Sequence, residues 1–138
     1  MQFEEQISIS ASAEEVFSLY ADVNSWSTWD PEVKASSIDG AFVSGAIGQL
    51  QPTKGPKAKI ILTEVVSNCS FTVESRLPLC IMRFEHELSN SSGDVNALHR
   101  VSFEGLLSPL FGRLIGSQIR KGLPGTLRGL KYAVEQQS

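Results

Sequence analysis

Residues 70–103 read SFTVESRLPLCIMRFEHELSNSSGDVNALHRVSF, and the charges in this stretch decide the fold. Phe71, Val73 and Ser75 alternate with Thr72, Glu74 and Arg76, the period-2 pattern of a strand buried on one face, and the same alternation runs through Met82–His86 and His99–Phe103. A turn at Leu77-Pro78-Leu79-Cys80 sets Glu74 opposite Arg83. A hairpin loop centred on Asn90 to Asp94 sets Glu85 opposite Arg100. Both are favourable cross-strand pairs on one outer face. Because a slip of one residue would send every side chain to the other face, these pairs fix the register. The inner face then carries three rows: Ser75, Met82, Phe103; Val73, Phe84, Val101; and Phe71, His86, His99. Both histidines of the chain therefore lie side by side on the buried face.

Working outward, Lys57 to Val66 supplies another strand. Its apolar run Ile60-Ile61-Leu62 does not fix parity, so the facing of Glu64 stays open. Further upstream, Asp39-Gly40, Gly45, Gly48 and Pro52-Thr53-Lys54-Gly55-Pro56 punctuate short strand-length segments. Phe3 to Ile9 alternates as a first strand. Ser12-Ala13-Glu14-Glu15 is a capping box that opens a helix with Val16, Phe17 and Tyr20 on its apolar side. Asp22 to Pro31 reads as a loop and a short second helix carrying Trp26 and Trp29 on one face, both expected to be half buried. After Pro109 the period turns helical, with Ile115, Ile119, Leu123, Leu127, Leu130 and Val134 on one side and Arg113, Arg120, Arg128 and Lys131 largely on the other. Pro124 inside this helix predicts a kink. The order predicts an α+β fold, a curved, mostly antiparallel sheet around a long C-terminal helix, with two short helices after the first strand and one domain over residues 1–138.

Composition narrows the function. The chain has 138 residues and a formal net charge of −3, with no basic run interleaved with aromatics, so nucleic acid is not an expected partner. No window approaches the roughly 18 consecutive apolar residues of a spanning helix, and the first residues lack a secretion-signal pattern, so the expected location is cytoplasmic. Asn68-Cys69-Ser70 and Asn90-Ser91-Ser92 match the glycosylation sequon but read as turns. Cys69 and Cys80 sit at opposite ends of one hairpin, too far apart to bridge, and are expected as free thiols. The phosphate-binding, dinucleotide-binding and nucleophile-elbow glycine motifs are missing from the sequence, and no cofactor is expected.

The paired histidines are the sharpest chemical feature, because imidazoles exchange protons near neutral pH and suit enolisation or dehydration. The plainer reading is that they orient a ligand or hold water on a cavity wall. A metal is not expected, since a zinc site needs about three protein ligands and no third is evident. The predicted wall comprises Trp26 and Trp29 from the short second helix, and Phe71, Val73, Ser75, Met82, Phe84, His86, His99, Val101 and Phe103 from the sheet. The long C-terminal helix adds Gly112, Ile115, Gly116 and Ile119. The tryptophans either gate the mouth or simply pack. Gly112 and Gly116 either keep internal volume empty or permit close approach of helix and sheet.

Several stretches together resemble a known superfamily. They are Ser12-Ala13-Glu14-Glu15-Val16-Phe17, Trp26-Ser27-Thr28-Trp29-Asp30-Pro31, Leu77-Pro78-Leu79, Phe84-Glu85-His86-Glu87-Leu88 and Leu98-His99-Arg100-Val101. The segments 105–112 and 123–131 complete the set. The chain resembles the START-like, helix-grip superfamily that includes the birch pollen allergen, and within it the bacterial polyketide cyclase/dehydrase-like proteins. The resemblance spans essentially the whole chain and implies a seven-stranded sheet gripping the C-terminal helix. It also implies a cavity that in different members holds lipids, sterols, polyketides or plant hormones. It implies no catalytic set that can be placed on this sequence.

The leading expectation is therefore binding or carriage of a small hydrophobic molecule in a cavity of at least about 300 Å³. The alternative is a cofactor-independent cyclase or dehydratase, a lyase or isomerase using His86 and His99 as acid and base. A third is a protein-interaction module, with the chain a monomer or a weak homodimer through an exposed edge strand.

Overall fold

A computed structural model describes residues 1–136. Strand β1 (Gln2–Ile9) leads to helix α1 (Ala13–Ala21), a short 3₁₀ helix (Val23–Thr28) and the strands β2 (Val33–Ile38), β3 (Ile47–Pro52), β4 (Ala58–Val66), β5 (Ser70–Leu77), β6 (Cys80–Ser91) and β7 (Asp94–Glu104). A helical run closes the described chain: α2 (Ser108–Phe111), one π turn (Gly112–Gly116) and α3 (Ser117–Gln136). The seven strands form one antiparallel sheet in the order β1-β7-β6-β5-β4-β3-β2, so a meander from β2 to β7 is completed by β1 returning beside β7. This is the expected α+β helix-grip architecture.

The register follows the charge pattern. Glu74 pairs with Arg83 and Glu85 with Arg100, and the rows Ser75/Met82/Phe103, Val73/Phe84/Val101 and Phe71/His86/His99 all form. On the outer face Arg83 Nε donates to Glu74 at 2.9 Å, and Arg100 reaches Glu4 at 3.0 Å and Glu87 at 2.7 Å as well as Glu85 at 3.4 Å. Local chemistry supports each element. The capping box forms, with the Ser12 hydroxyl accepting from the Glu15 amide and the Glu15 carboxylate accepting from the Ser12 amide. At the β6–β7 hairpin Ser92 and Gly93 both adopt positive φ, +50° and +90°, the geometry whose twist suits a two-residue turn.

Glu64 lies on the exposed side. A bulge between Leu62 and Glu64 leaves Thr63 unpaired and inverts the parity, so Ile60 and Leu62 point inward before it and Val65 after it. Gly48 differs from its expected role as a turn residue: it lies inside β3 opposite Ile38, where a Cβ would collide with the Ser37 carbonyl. The helix carrying Trp26 is a 3₁₀ helix that ends before Trp29, and both tryptophans are buried rather than half buried. The C-terminal run continues through Pro124 as one helix, and the π turn at Gly112–Gly116 is an irregularity that the apolar spacing does not announce. Cys69 and Cys80 are free thiols, exposed and buried respectively.

Candidate functional site

Between the concave sheet, the 3₁₀ helix and α3 lies a cavity of about 410 Å³, above the expected minimum. Its closed end is made by rings. Tyr20 comes from α1 because the Val16, Phe17, Tyr20 spacing turns one helix face inward. Phe71, His86 and His99 come from adjacent central strands in one row. Phe71 and His86 stack with centroids 3.9 Å apart and planes 5° from parallel, and the two imidazole centroids are 4.6 Å apart. Trp26 anchors this group by donating its indole N–H to the Tyr20 carbonyl at 2.9 Å.

The hydrogen bonds settle the tautomers. His86 Nδ1 lies 3.2 Å from the Phe71 carbonyl oxygen. A carbonyl only accepts, so Nδ1 carries the hydrogen and Nε2 is left as a bare acceptor. His99 Nε2 lies 2.8 Å from the Tyr20 hydroxyl, whose hydrogen has no other acceptor among the described residues. Tyr20 therefore donates, and the His99 hydrogen sits on Nδ1. Burial penalises the charged forms: it pushes the His86 pKa down to about 4 and the His99 pKa well below the ordinary histidine value, with His86 adding to the latter. Burial also pushes Tyr20 upward, so its hydroxyl stays protonated. At neutral pH the cluster is uncharged.

A second polar group sits where the chain leaves the 3₁₀ helix. Asp30 Oδ1 accepts from the Thr126 hydroxyl at 2.7 Å and from the Glu32 amide at 2.9 Å. Burial raises the Asp30 pKa, and these two bonds pull it partly back. The segment lies close on α3: at Gly129 a Cβ would collide with the Trp29 carbonyl, and at Gly122 with the Glu32 carboxylate. The rest of the wall is mostly apolar, with Leu50, Val73, Phe84 and Leu123 among its residues, and the mouth is rimmed by exposed Lys54, Pro56, Leu114 and Gln118.

Of the residues expected on the wall, Trp26, Trp29, Phe71, Val73 and Ser75 line the cavity, as do Met82, Phe84, His86, His99, Ile115 and Ile119. Val101 and Phe103 do not; they are buried with Phe3, Cys80 and Leu123 in a second core cluster, where β1 and the helix close over β7. Gly112 and Gly116 also lie off the cavity. A Cβ on Gly112 would strike the Met1 thioether, and one on Gly116 would lie 3.4 Å from Phe103 and 3.7 Å from Phe3. They permit close helix-to-sheet approach rather than create space. Tyr20, Asp30, Glu32 and Thr126 were not expected at the site. Tyr20 had a signal, since a tyrosine on an inward helix face needs a buried partner for its hydroxyl, and the histidines are the chief polar residues in that row. Asp30 and Glu32 had none, because alternation ends where the strands end. Among the described residues no group of three His, Cys, Asp or Glu side chains is arranged to hold a metal ion, and no helix is long and apolar enough to cross a membrane.

Comparison with known proteins places this geometry. The family described as "Polyketide cyclase / dehydrase and lipid transport" matches residues 1–135. Among solved structures, Ara h 8.0201 is 11% identical with a TM-score of 0.77, covering 99% of this chain and 98% of its own. The STAR-related lipid transfer protein of Xanthomonas axonopodis is 19% identical with a TM-score of 0.70, over 97% and 85% of the two chains. The di-domain ARO/CYC StfQ from the steffimycin biosynthetic pathway is 12% identical with a TM-score of 0.75, covering 99% of this chain and 51% of its own. At these identities the likeness is one of fold. No curated protein matches the sequence itself.

Proposed function

The chain belongs to the polyketide cyclase/dehydrase and lipid transport family, and on that premise we propose that it binds and carries a small apolar molecule in its internal cavity. Family and neighbours support a hydrophobic-ligand or cyclase role. The observation that carries the choice is the cavity of about 410 Å³, within the range of small-molecule sites, with an apolar wall and a few convergent polar groups. The direct test fills it. Ile119→Trp is expected to abolish the emission rise of Nile red, a neutral apolar dye, on adding protein, while circular dichroism stays that of the parent. Unchanged dye binding by a folded variant would refute the reading.

A second reading, a cyclase or dehydratase, draws support from the histidine pair, where a bare acceptor on His86 and an N–H on His99 face one cavity. It ranks behind carriage on magnitude. A base with a pKa near 4 is far below the near-neutral value that general base catalysis favours. Turnover of a polyketide-like substrate that vanishes in the His86→Gln/His99→Gln double variant would reverse that order.

A further inference from the structure

The Trp29 indole nitrogen is the one buried side-chain polar atom without a partner among the described residues. His86 Nε2 and His99 Nδ1 also have no partner, so both keep accessible surface, and both residues line the cavity. One presents a lone pair and the other an N–H, on rings whose centroids are 4.6 Å apart. The buried hydroxyls of the cavity wall are committed. The Ser75 hydroxyl donates to the Lys59 carbonyl, the Thr126 hydroxyl to Asp30 and the Tyr20 hydroxyl to His99. What Asp30 and Glu32 add to the wall is acceptor oxygen. Among the described residues no free cation balances it inside: Arg100 touches the cavity but its guanidinium is tied to Glu4, Glu85 and Glu87 on the outer face, and Lys54 stands exposed at the rim.

We infer that the His86/His99 pair is a reader for a neutral hydroxyl, so that the cavity selects apolar molecules bearing an alcohol, phenol or enol over the corresponding hydrocarbon and carboxylate. This rests on the cavity being a ligand site, and deepens that reading. A hydroxyl oxygen accepts from His99 Nδ1–H while its hydrogen goes to His86 Nε2, satisfying both groups at once. A hydrocarbon leaves both unsatisfied. A carboxylate accepts from the His99 N–H but offers nothing to the bare His86 nitrogen, finds no free counter-ion among the described residues and meets the acidic pair Asp30 and Glu32, so its desolvation is compensated by one hydrogen bond alone. Tyr20 acts here as a positioning residue, because its donated hydrogen is what turns the His99 N–H toward the cavity side.

The experiment is a matched series, 2-naphthol, naphthalene and 2-naphthoate, titrated at pH 7.5 into the full chain by calorimetry. Two neutral hydrogen bonds lead to an expected preference for the naphthol of roughly tenfold or more over either relative. His86→Phe, which removes the acceptor while keeping a ring against Phe71, is expected to bring naphthol and naphthalene within about threefold of each other, with naphthalene still bound. Long-range 1H–15N spectra of the unsubstituted protein supply a reading that needs no variant: both rings are expected in the neutral Nδ1–H form. Equal affinity across the series, tighter naphthoate binding, or His99 protonated on Nε2 would overturn the inference while leaving the cavity reading intact. Failure of all three compounds to bind would overturn both.

Discussion

At the end of the cavity built by Tyr20, Phe71, His86 and His99, rings meet rings on every side and Tyr20 and Phe71 are each 1% exposed. The opposite end of the sheet, at the β5–β6 turn and the start of the C-terminal helical run, is the open one: it leaves Leu79, Leu106, Leu110 and Leu114 exposed by 64, 80, 49 and 66%, and of these only Leu114 lines the cavity. Leu79 also holds a positive φ of 52°, a conformation that suits glycine or asparagine, and the π turn falls at this end. Large apolar side chains contribute most when buried, and the open end forgoes that contribution at four leucines. Stability is thus concentrated around the histidines.

The contrast between the two ends is most readily broken at Phe71. Phe71→Ala is expected to cost about 3–5 kcal/mol in urea unfolding, whereas Leu106→Ser at the open end should stay within about 0.5 kcal/mol of the parent. Comparable losses at the two positions would mean that the open end is packed as tightly as the closed one.

The histidines come next in size, with a defined sign. A histidine whose folded pKa is depressed binds protons more readily in the unfolded chain, so its contribution is full above the unfolded value near 6.5 and is lost as pH falls toward the folded value. For His86, held near 4, the loss between pH 7 and pH 4 amounts to about 3 kcal/mol, and His99 adds in the same direction. The raised Asp30 pKa acts in the opposite sense, so the informative quantity is the difference in pH slope between the parent and His86→Phe. Identical slopes would contradict a neutral buried His86.

At the open end a smaller change, a gain, is expected. Leu79→Gly should stabilise the fold by about 0.5–1 kcal/mol by relieving the left-handed conformation, partly offset by the freedom glycine adds to the unfolded chain. A loss would show that the Leu79 side chain packs where its exposure says it does not.

The same contrast explains what the sequence made legible. The closed end could be read because Glu74/Arg83 and Glu85/Arg100 label the outer face of β5, β6 and β7, and strand periodicity then dictates the inner face without further choice. Glu64 could not be assigned because the Thr63 bulge inverts parity inside an apolar run that looks the same in either register. Gly112 and Gly116 were ambiguous because an absent side chain states nothing about what fills its place, and here Met1, Phe3 and Phe103 do. Asp30 and Glu32 reach the site through a 3₁₀ helix exit, whose direction depends on Gly122 and Gly129 almost a hundred residues later in the chain.

The central claim, that the space beside His86 is a ligand site, is tested most directly by a 1H–15N NMR titration with 2-naphthol that follows the two tryptophan indoles and both imidazoles. Saturating shifts at Trp29, His86 and His99, with the exposed surface around Leu106 unmoved, are the result expected of an occupied cavity. Shifts confined to the surface around Leu79 and Leu106, or none at saturating ligand, would contradict it.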